Sequence, residues 1–365
     1  MSDSMIEQSA ARLFSENVDK GLLEKFETGA FPEELWQLAA DSGFPLALAD
    51  EEGGGIGESW AAAYPILRGI GYWQVPLPLA ETMIGAQLLS MAGIEVPEGP
   101  IAIVEQGLGN TLSASGNVDS LTLTGELPRV AWARHCRWAV VSLATEGIAL
   151  VDLQEDESVR IIERTNHAKI PADGLSFDGV RAVARAANPL PQLDRPVWTL
   201  GALARSAMIV GALEWLLEQS VQYANDRVQF GKPIGKNQAL QQQLALMAGD
   251  VAAARMAVLV AMNDAPSANA RDCSSTLFST SVAKIRSGEA ATRATSIAHQ
   301  VHGAIGFTYE HMLNFGTRRL WAWREEFGSD SWWAERLGQA AIEARSSGFW
   351  PSLTQRRFDR GIRTA

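Results

Sequence analysis

The sequence predicts a mainly α-helical protein with a small β-domain in the middle of the chain. Helical spacing of apolar residues dominates up to about residue 100, and it returns from about residue 191. Between these stretches lie short runs rich in Val, Ile, Leu and Thr, separated by Gly, Asp and Asn. We therefore expect an N-terminal helical domain over residues 1–100, a β-domain over 101–190 and a C-terminal helical bundle over 191–365.

The helices of the N-terminal region are separated by proline and glycine. Their spacing predicts helices over residues 5–23, 32–41, 59–72 and 80–92. Pro32 suits the first position of the second helix, because proline lacks the backbone N–H that would be unsatisfied there.

The central region predicts strands over residues 101–104, 121–124, 138–143, 147–153 and 160–164, arranged as an antiparallel barrel or sandwich. A Pro-rich connector over residues 188–196 then leads into long helical periodicity. Three or four long helices with short connections are typical of a helical bundle.

Composition excludes several classes of function. Lys and Arg number 31 against 42 Asp and Glu, a net charge of −11, which argues against nucleic acid or an anionic membrane as the main partner. An anionic ligand must then be held by local arginine or lysine. The histidines are too isolated for a metal site, and two cysteines are too few for a disulfide framework. With no secretory signal and no apolar run judged long enough to span a membrane, a cytoplasmic location is expected.

The chain is organised around a segment at residues 226–250. Arg227 and Lys232 flank Phe230 and Gly231 in a turn, and a helix with an apolar face follows near Gln238. Glycine permits close approach of the backbone and arginine is a permanent cation, so this turn can hold an anion against an aromatic ring.

A second segment, at residues 300–311, reads Gln-Val-His-Gly-Ala-Ile-Gly-Phe-Thr-Tyr-Glu-His. Together with Arg-Val-Gln-Phe-Gly-Lys-Pro-Ile at 227–234, it closely resembles the paired motifs of the acyl-CoA dehydrogenase family. The resemblance extends over essentially the whole chain. It implies that family's fold, in which a small β-barrel or sandwich lies between an N-terminal helical domain and a C-terminal four-helix bundle.

The resemblance also implies FAD as the cofactor. In this family the bundle of one subunit reaches across a dimer interface to a flavin held by its neighbour. Carried over to this chain, Arg227 would contact the pyrophosphate and Phe230 would form an aromatic wall. The other implied contacts are polar and come from Gln229, Gln238, Gln300 and the backbone of Gly303.

Other motifs of the family are not intact. The β-domain segments that hold the flavin ring have changed, although Trp132 could still pack on a ring. The family's reaction removes an α-proton from an acyl thioester while a hydride goes to the flavin, so it needs a carboxylate base. The two family positions for this base fall at Phe327, before Gly328, and near Gly201, and neither is acidic. Glu326 is the candidate catalytic residue of this chain, unless a partner supplies the base. The alternative interpretation of residues 324–326 is a solvated charged run or ion pairs with nearby arginines.

These differences favour a heteromer in which a partner completes the site. In this respect the chain resembles the paired acyl-CoA dehydrogenases of bacterial steroid and bile-acid side-chain catabolism, which form α2β2 tetramers. That resemblance implies a steroid or other bulky acyl-CoA as substrate, a paralogous partner subunit and an electron-transfer protein as acceptor. Two alternatives are a self-sufficient homotetramer with Glu326 as base and a non-catalytic scaffold subunit.

Overall fold

A computed structural model of the chain describes residues 5–116, 120–143, 147–154, 157–267, 270–358 and 362. Its N-terminal helices are α1 Met5–Asn17, α2 Lys20–Glu27, α3 Glu33–Asp41, α4 Trp60–Tyr72 and α5 Leu79–Met91. The single helix predicted over residues 5–23 is wrong, because the chain breaks at Asp19. The Asp19 carboxylate accepts a hydrogen bond from the Leu22 N–H at 2.7 Å and starts a new helix. Pro32 lies at the N-cap of α3, one residue before the predicted position.

The β-domain consists of two four-stranded sheets, ordered β1-β4-β5-β8 and β2-β3-β7-β6. The strands are β1 Ile101–Glu105, β2 Ser113–Ser115, β3 Thr122–Ala131, β4 Trp138–Ser142, β5 Ile148–Asp152, β6 Val159–Ile162, β7 Ala172–Arg181 and β8 Ala184–Ala186. The expected all-antiparallel pairing is wrong at one place, since β1 and β4 run parallel. Strand β7 was not predicted, because Asp173, Gly174, Asp178 and Gly179 interrupt its apolar pattern.

The C-terminal bundle begins with α6 Pro196–Asp226 and ends with α10 Asp330–Gln355, which is interrupted by a non-helical residue at Arg345. Between them lie a hairpin of β9 Val228–Gln229 and β10 Lys232–Pro233, then α7 Gln238–Asn263, α8 Thr276–His302 and α9 Leu313–Glu325. Helix α6 packs against α4, α7, α8 and α9. The predicted class, helical regions around a small β-domain, is confirmed. The proposed boundaries at 100/101 and 190/191 fall between α5 and β1 and between β8 and α6.

Two glycines allow α4 to lie directly against α6. A Cβ added at Gly71 would lie 1.8 Å from the Met208 carbonyl oxygen, and one added at Gly211 would lie 1.9 Å from that of Arg68. Any side chain at either position would therefore separate the two backbones. This contact joins the N-terminal helices to the central helix of the bundle.

A buried carboxyl group joins the β-domain to the same helix. Glu105, at the end of β1, accepts hydrogen bonds from the Ser142 hydroxyl at 2.7 Å and from the Trp198 N–H at 3.0 Å, in the first turn of α6. Burial raises the pKa of Glu105 to about 8, although these hydrogen bonds and Arg195 oppose the shift. The group therefore titrates near neutral pH.

Two helices meet the length and composition criteria for crossing a membrane, which corrects the expectation that no apolar run is long enough. These helices are α6 and α7. In α6, 89% of the most apolar stretch is buried inside the protein, and in α7 the corresponding share is 33%. A core helix of a globular protein passes the same criteria. The burial of α6 is explained by its central place in the bundle.

Candidate functional site

The first predicted motif forms an exposed hairpin at the end of α6. Phe230 and Gly231 form its two-residue turn with φ angles of 51° and 80°, both in the left-handed region. Phe230 is fully exposed at 101%, which is unusual for a large apolar ring. The Arg227 backbone N–H bonds to the Tyr223 carbonyl at 2.9 Å, and its side chain is also exposed. Within the described ranges, no carboxylate pairs with the Arg227 guanidinium.

The polar residues predicted around this hairpin also face solvent. Gln229 lies in β9, and Gln238 is the first residue of α7, where the Asn237 side chain caps the helix by accepting from the Ala239 N–H at 3.0 Å. Both glutamines are exposed. The hairpin and the start of α7 therefore present a cation, an aromatic ring and two amides outward from the chain.

The second predicted motif lies at the end of α8. Gly303 has a φ of 64° and ends the helix, and its N–H donates to the His299 carbonyl. The Gly303 N–H is therefore already bonded within the chain, so the structural role of this exposed glycine is to end α8. Gln300 is exposed and lines an open groove of about 450 Å³ together with other residues of α8, Phe307 of the following turn and Trp321 of α9.

Stacked aromatic rings bring the two motifs to the same end of the bundle. The Tyr223 ring of α6 stacks on the His302 ring of α8 with centroids 4.4 Å apart, and His311 meets His302 at 4.9 Å. Burial lowers the pKa of His302 to about 4, so the imidazole is neutral at physiological pH. A neutral, buried ring suits a packing role.

Glu326, the candidate base, is held in an ion-pair network. One carboxylate oxygen accepts from the Arg205 Nε at 2.6 Å, and the other accepts from the Asn166 side-chain amide at 3.0 Å. Arg205 also pairs with Glu81, and both partners of that pair are almost completely buried. Burial alone would lower the pKa of Arg205, but Glu81 and Glu326 together raise it. The carboxylate of Glu326 thus neutralises a buried cation.

Gly201 and Phe327, the two residues that stand where the family resemblance would place a base, are in direct contact. A Cβ added at Gly201 would lie 2.6 Å from two carbon atoms of the Phe327 ring and 2.7 Å from a third. The Phe327 ring therefore rests on the bare backbone of α6 at Gly201. Trp198 meets it edge-on at 5.9 Å, and the Arg205 guanidinium lies 5.4 Å from its centroid. An aromatic side chain fills the space between the two positions.

Two family models match this chain, and together they cover more than half of it. The acyl-CoA dehydrogenase N-terminal domain matches residues 2–96, and the acyl-CoA dehydrogenase C-terminal domain matches residues 198–344. The chain belongs to the acyl-CoA dehydrogenase family. It is therefore a member of a family of flavin-dependent oxidoreductases.

Individual relatives agree with this assignment. The chain is 28% identical over 294 residues to acyl-CoA dehydrogenase IpdE2 of Mycobacterium tuberculosis, covering 79% of this chain and 80% of the relative. Its fold resembles the ChsE4-ChsE5 complex from Mycobacterium tuberculosis with a TM-score of 0.79 at 22% identity, covering 94% of this chain and 98% of the other. It also resembles a variant of the Tcur3481-Tcur3483 steroid ACAD, with a TM-score of 0.81 at 22% identity over 93% and 97% of the two chains.

The β-domain residue Trp132 is covered by the N-terminal helices. Trp132, which could have packed on a flavin ring, is only 3% exposed. Its ring lies against Phe26 of α2 with centroids 5.5 Å apart, and against His135 at 6.3 Å. The side chain is covered by the protein itself, so Trp132 does not offer a free ring face to a flavin. The exposed hairpin and the Gln300 groove, in contrast, leave room for a ligand.

Arg205 and Lys284 were missed by the sequence analysis. Both are buried charged residues beside Glu326 and Phe327, and Arg205 interrupts a long apolar stretch of α6. A lone charge in such a stretch signals a buried partner, because an unpaired buried charge is very costly. That signal identifies Arg205 as a paired residue but does not identify Glu81 and Glu326 as its partners.

Proposed function

We propose that this chain is one subunit of a heteromeric acyl-CoA dehydrogenase and that it donates one side of a shared FAD site to a paralogous partner. The main support is the contact between Phe327 and Gly201. The family resemblance would place the base at one of these two positions, and here the Phe327 ring occupies the space between them. The partner would supply the carboxylate that removes the α-proton from the acyl thioester, as well as the surface for the flavin ring.

The exposed residues of the hairpin fit the outer half of such a site. Arg227 is a permanent cation without a carboxylate partner in the described parts of the chain, so it can balance a pyrophosphate. Phe230 offers its whole ring face, and Gln229, Gln238 and Gln300 offer amides. When bound, FAD accepts the hydride from the β-carbon. The contribution of this chain is to bind and orient the cofactor.

The local charges near Phe327 support a base outside this chain. Proton uptake by Glu326 would cancel the charge that pairs with Arg205 and weaken the hydrogen bonds that its oxygens accept from Arg205 and Asn166. Arg205 would then keep Glu81 as its one charged partner in a buried place, which is costly. Glu326 is therefore better suited to holding the structure together than to moving a proton.

We propose a bulky acyl-CoA, such as a steroid-derived thioester, as substrate and an electron-transfer protein as acceptor. The substrate class is suggested by the neighbouring structure described as a steroid ACAD. The paired subunits in that structure and in the ChsE4-ChsE5 complex likewise suggest a two-protein assembly.

Co-expression with a paralogous dehydrogenase subunit tests this function. We expect the two chains to purify together with flavin, and Arg227→Gln to weaken the affinity of the complex for FAD by at least about tenfold, measured by titrating the apo-complex with FAD, since a charged hydrogen bond to phosphate is lost. Arg271→Gln, at another exposed arginine, is the matched control and should leave flavin unchanged. A chain that purifies alone as a fully flavinated, active homotetramer would refute the proposal. Unchanged flavin and activity with Arg227→Gln would favour the scaffold alternative.

The homotetramer alternative is separated by Glu326→Gln, which removes the charge but keeps the shape. We expect turnover within about threefold of the wild-type complex, with a lower thermal midpoint because Arg205 loses one charge partner. A fall in turnover of about a hundredfold or more with flavin retained would instead identify Glu326 as the base.

A further inference from the structure

Several side-chain contacts hold the short turn between α9 and α10 in place. It contains Phe327 and Gly328, whose φ angles of 54° and 89° are both in the left-handed region. A phenylalanine in this region is strained, so the surrounding contacts must hold it there. The Trp333 indole N–H donates to the Phe327 carbonyl at 2.9 Å, and Glu326 is held by Arg205.

Lys284 of α8 makes the most concentrated of these contacts. Its ammonium group donates to three backbone carbonyls, those of Arg324 at 2.6 Å, Gly328 at 2.7 Å and Trp323 at 3.3 Å. The side chain is completely buried. Two of the carbonyls belong to the last turn of α9, where the helix dipole favours a positive charge, and the third follows the strained residue. One buried amine therefore connects both sides of the turn.

We propose that Lys284 is the residue that positions the turn between α9 and α10, and thereby keeps Phe327 seated on Gly201. It acts through the backbone, so it is a positioning residue and has no contact with the reacting atoms. The proposal concerns the geometry of this turn and does not depend on where the flavin is bound.

The protonation of Lys284 provides a specific signature of this role. Burial lowers the pKa of the closed-turn amine to about 7, whereas its ordinary value is 10.5. Opening the turn would return the amine to water, so the open form binds more protons than the closed form between pH 7 and 10.5. Linkage then requires the closed turn to become more stable as pH rises through this window. The charged groups that act on Lys284 are Arg205, Glu325, Glu326 and Asp330.

Hydrogen exchange of the full chain, followed by mass spectrometry, tests the proposal. After correction for the intrinsic rate, we expect the protection of peptides spanning residues 322–334 to increase between about pH 7 and 9, by at most about tenfold per pH unit. Lys284→Met, which removes the amine and keeps most of the length of the side chain, should lower that protection and remove its pH dependence. Lys25→Met, at an exposed lysine of α2, is the control and should behave as wild type.

Protection of this segment that does not change with pH in the wild-type chain would overturn the proposal, even if Lys284→Met fails to fold. Retention of the wild-type pH dependence in Lys284→Met would also overturn it. These results are independent of flavin content. A failure of this proposal is therefore distinguishable from a failure of the shared-flavin function.

Discussion

Gly201→Ala tests directly whether the Phe327 ring closes the space above α6. The added Cβ would lie 2.6 Å from the ring, about 1 Å inside the ordinary contact distance between carbon atoms. Either the ring or the helix must therefore move. Because Phe327 is only partly buried, the ring can swing towards solvent, which limits the cost.

The size of the effect follows from two opposing contributions. Overpacking of a filled site costs about 1–3 kcal/mol, and replacing a mid-helix glycine with alanine contributes about 1 kcal/mol of stability. We therefore expect Gly201→Ala to lower the free energy of unfolding by about 0–2 kcal/mol in the wild-type background. In a Phe327→Ala background the clash is gone, and the same substitution should stabilise the protein by about 1 kcal/mol.

Urea unfolding of the four proteins in this double-mutant cycle measures the coupling, provided that the slope of the transition is unchanged between variants. The expected coupling energy between the two positions is about 1–3 kcal/mol. Gly249→Ala is the matched control, because a Cβ at this position of α7 meets nothing within 4 Å. It should stabilise both backgrounds equally.

A coupling energy indistinguishable from zero would refute the contact between Phe327 and Gly201. The closed space between the two base positions, on which the proposed function depends, would then be wrong as well. A coupling of the expected size would leave the identity of the partner's base as the next question.

Three other substitutions test buried charges. Glu105→Gln should raise the thermal midpoint by about 2 °C or more at about pH 8.5 and have little effect at about pH 5. Because the pKa of Glu105 is raised, the wild-type carboxyl group contributes to folding stability only while it is protonated, and this contribution is lost as pH rises from 4.5 through 8. An equal effect at both pH values would contradict this. Arg319→Met should stabilise the protein by about 1–3 kcal/mol, because this fully buried guanidinium has two nitrogens without a hydrogen-bond partner in the described structure. Destabilisation would instead indicate an anion or water bound to the guanidinium. Asp173→Asn should destabilise the protein by about 3–5 kcal/mol in a urea titration, because it breaks the ion pair between the fully buried Asp173 and the partly buried Arg134. A loss below about 1 kcal/mol would count against that pair.

The overall class of the fold and the family could be read from the sequence because both depend on local patterns. Helical spacing and β-branched runs report which backbone conformation buries apolar side chains, and they need no knowledge of distant contacts. The motif around Arg227 and the motif around Gln300 are likewise short and contiguous. Their residue types and spacing were sufficient to identify the acyl-CoA dehydrogenase family, which the family models then confirmed.

Local patterns were less reliable where polar residues interrupt an element. Strand β7 escaped prediction because its acidic and glycine residues break the apolar alternation, and its pairing with β3 and β6 supplies the backbone hydrogen bonds instead. The helix break at Asp19 was missed for the opposite reason. Its apolar neighbours continue the helical spacing through a residue whose side chain caps a new helix.

The state of the candidate base region was decided only by tertiary structure. The sequence showed that neither Gly201 nor Phe327 is acidic, but it could not show that the ring of one rests on the backbone of the other. Glu326 looked available in the sequence, whereas in the fold it balances Arg205, which comes from a different helix. Such contacts join residues that are far apart in the chain, and their geometry depends on how whole helices pack. The sequence therefore determined which chemical groups this chain has, and the packing determined which of them remain free to act.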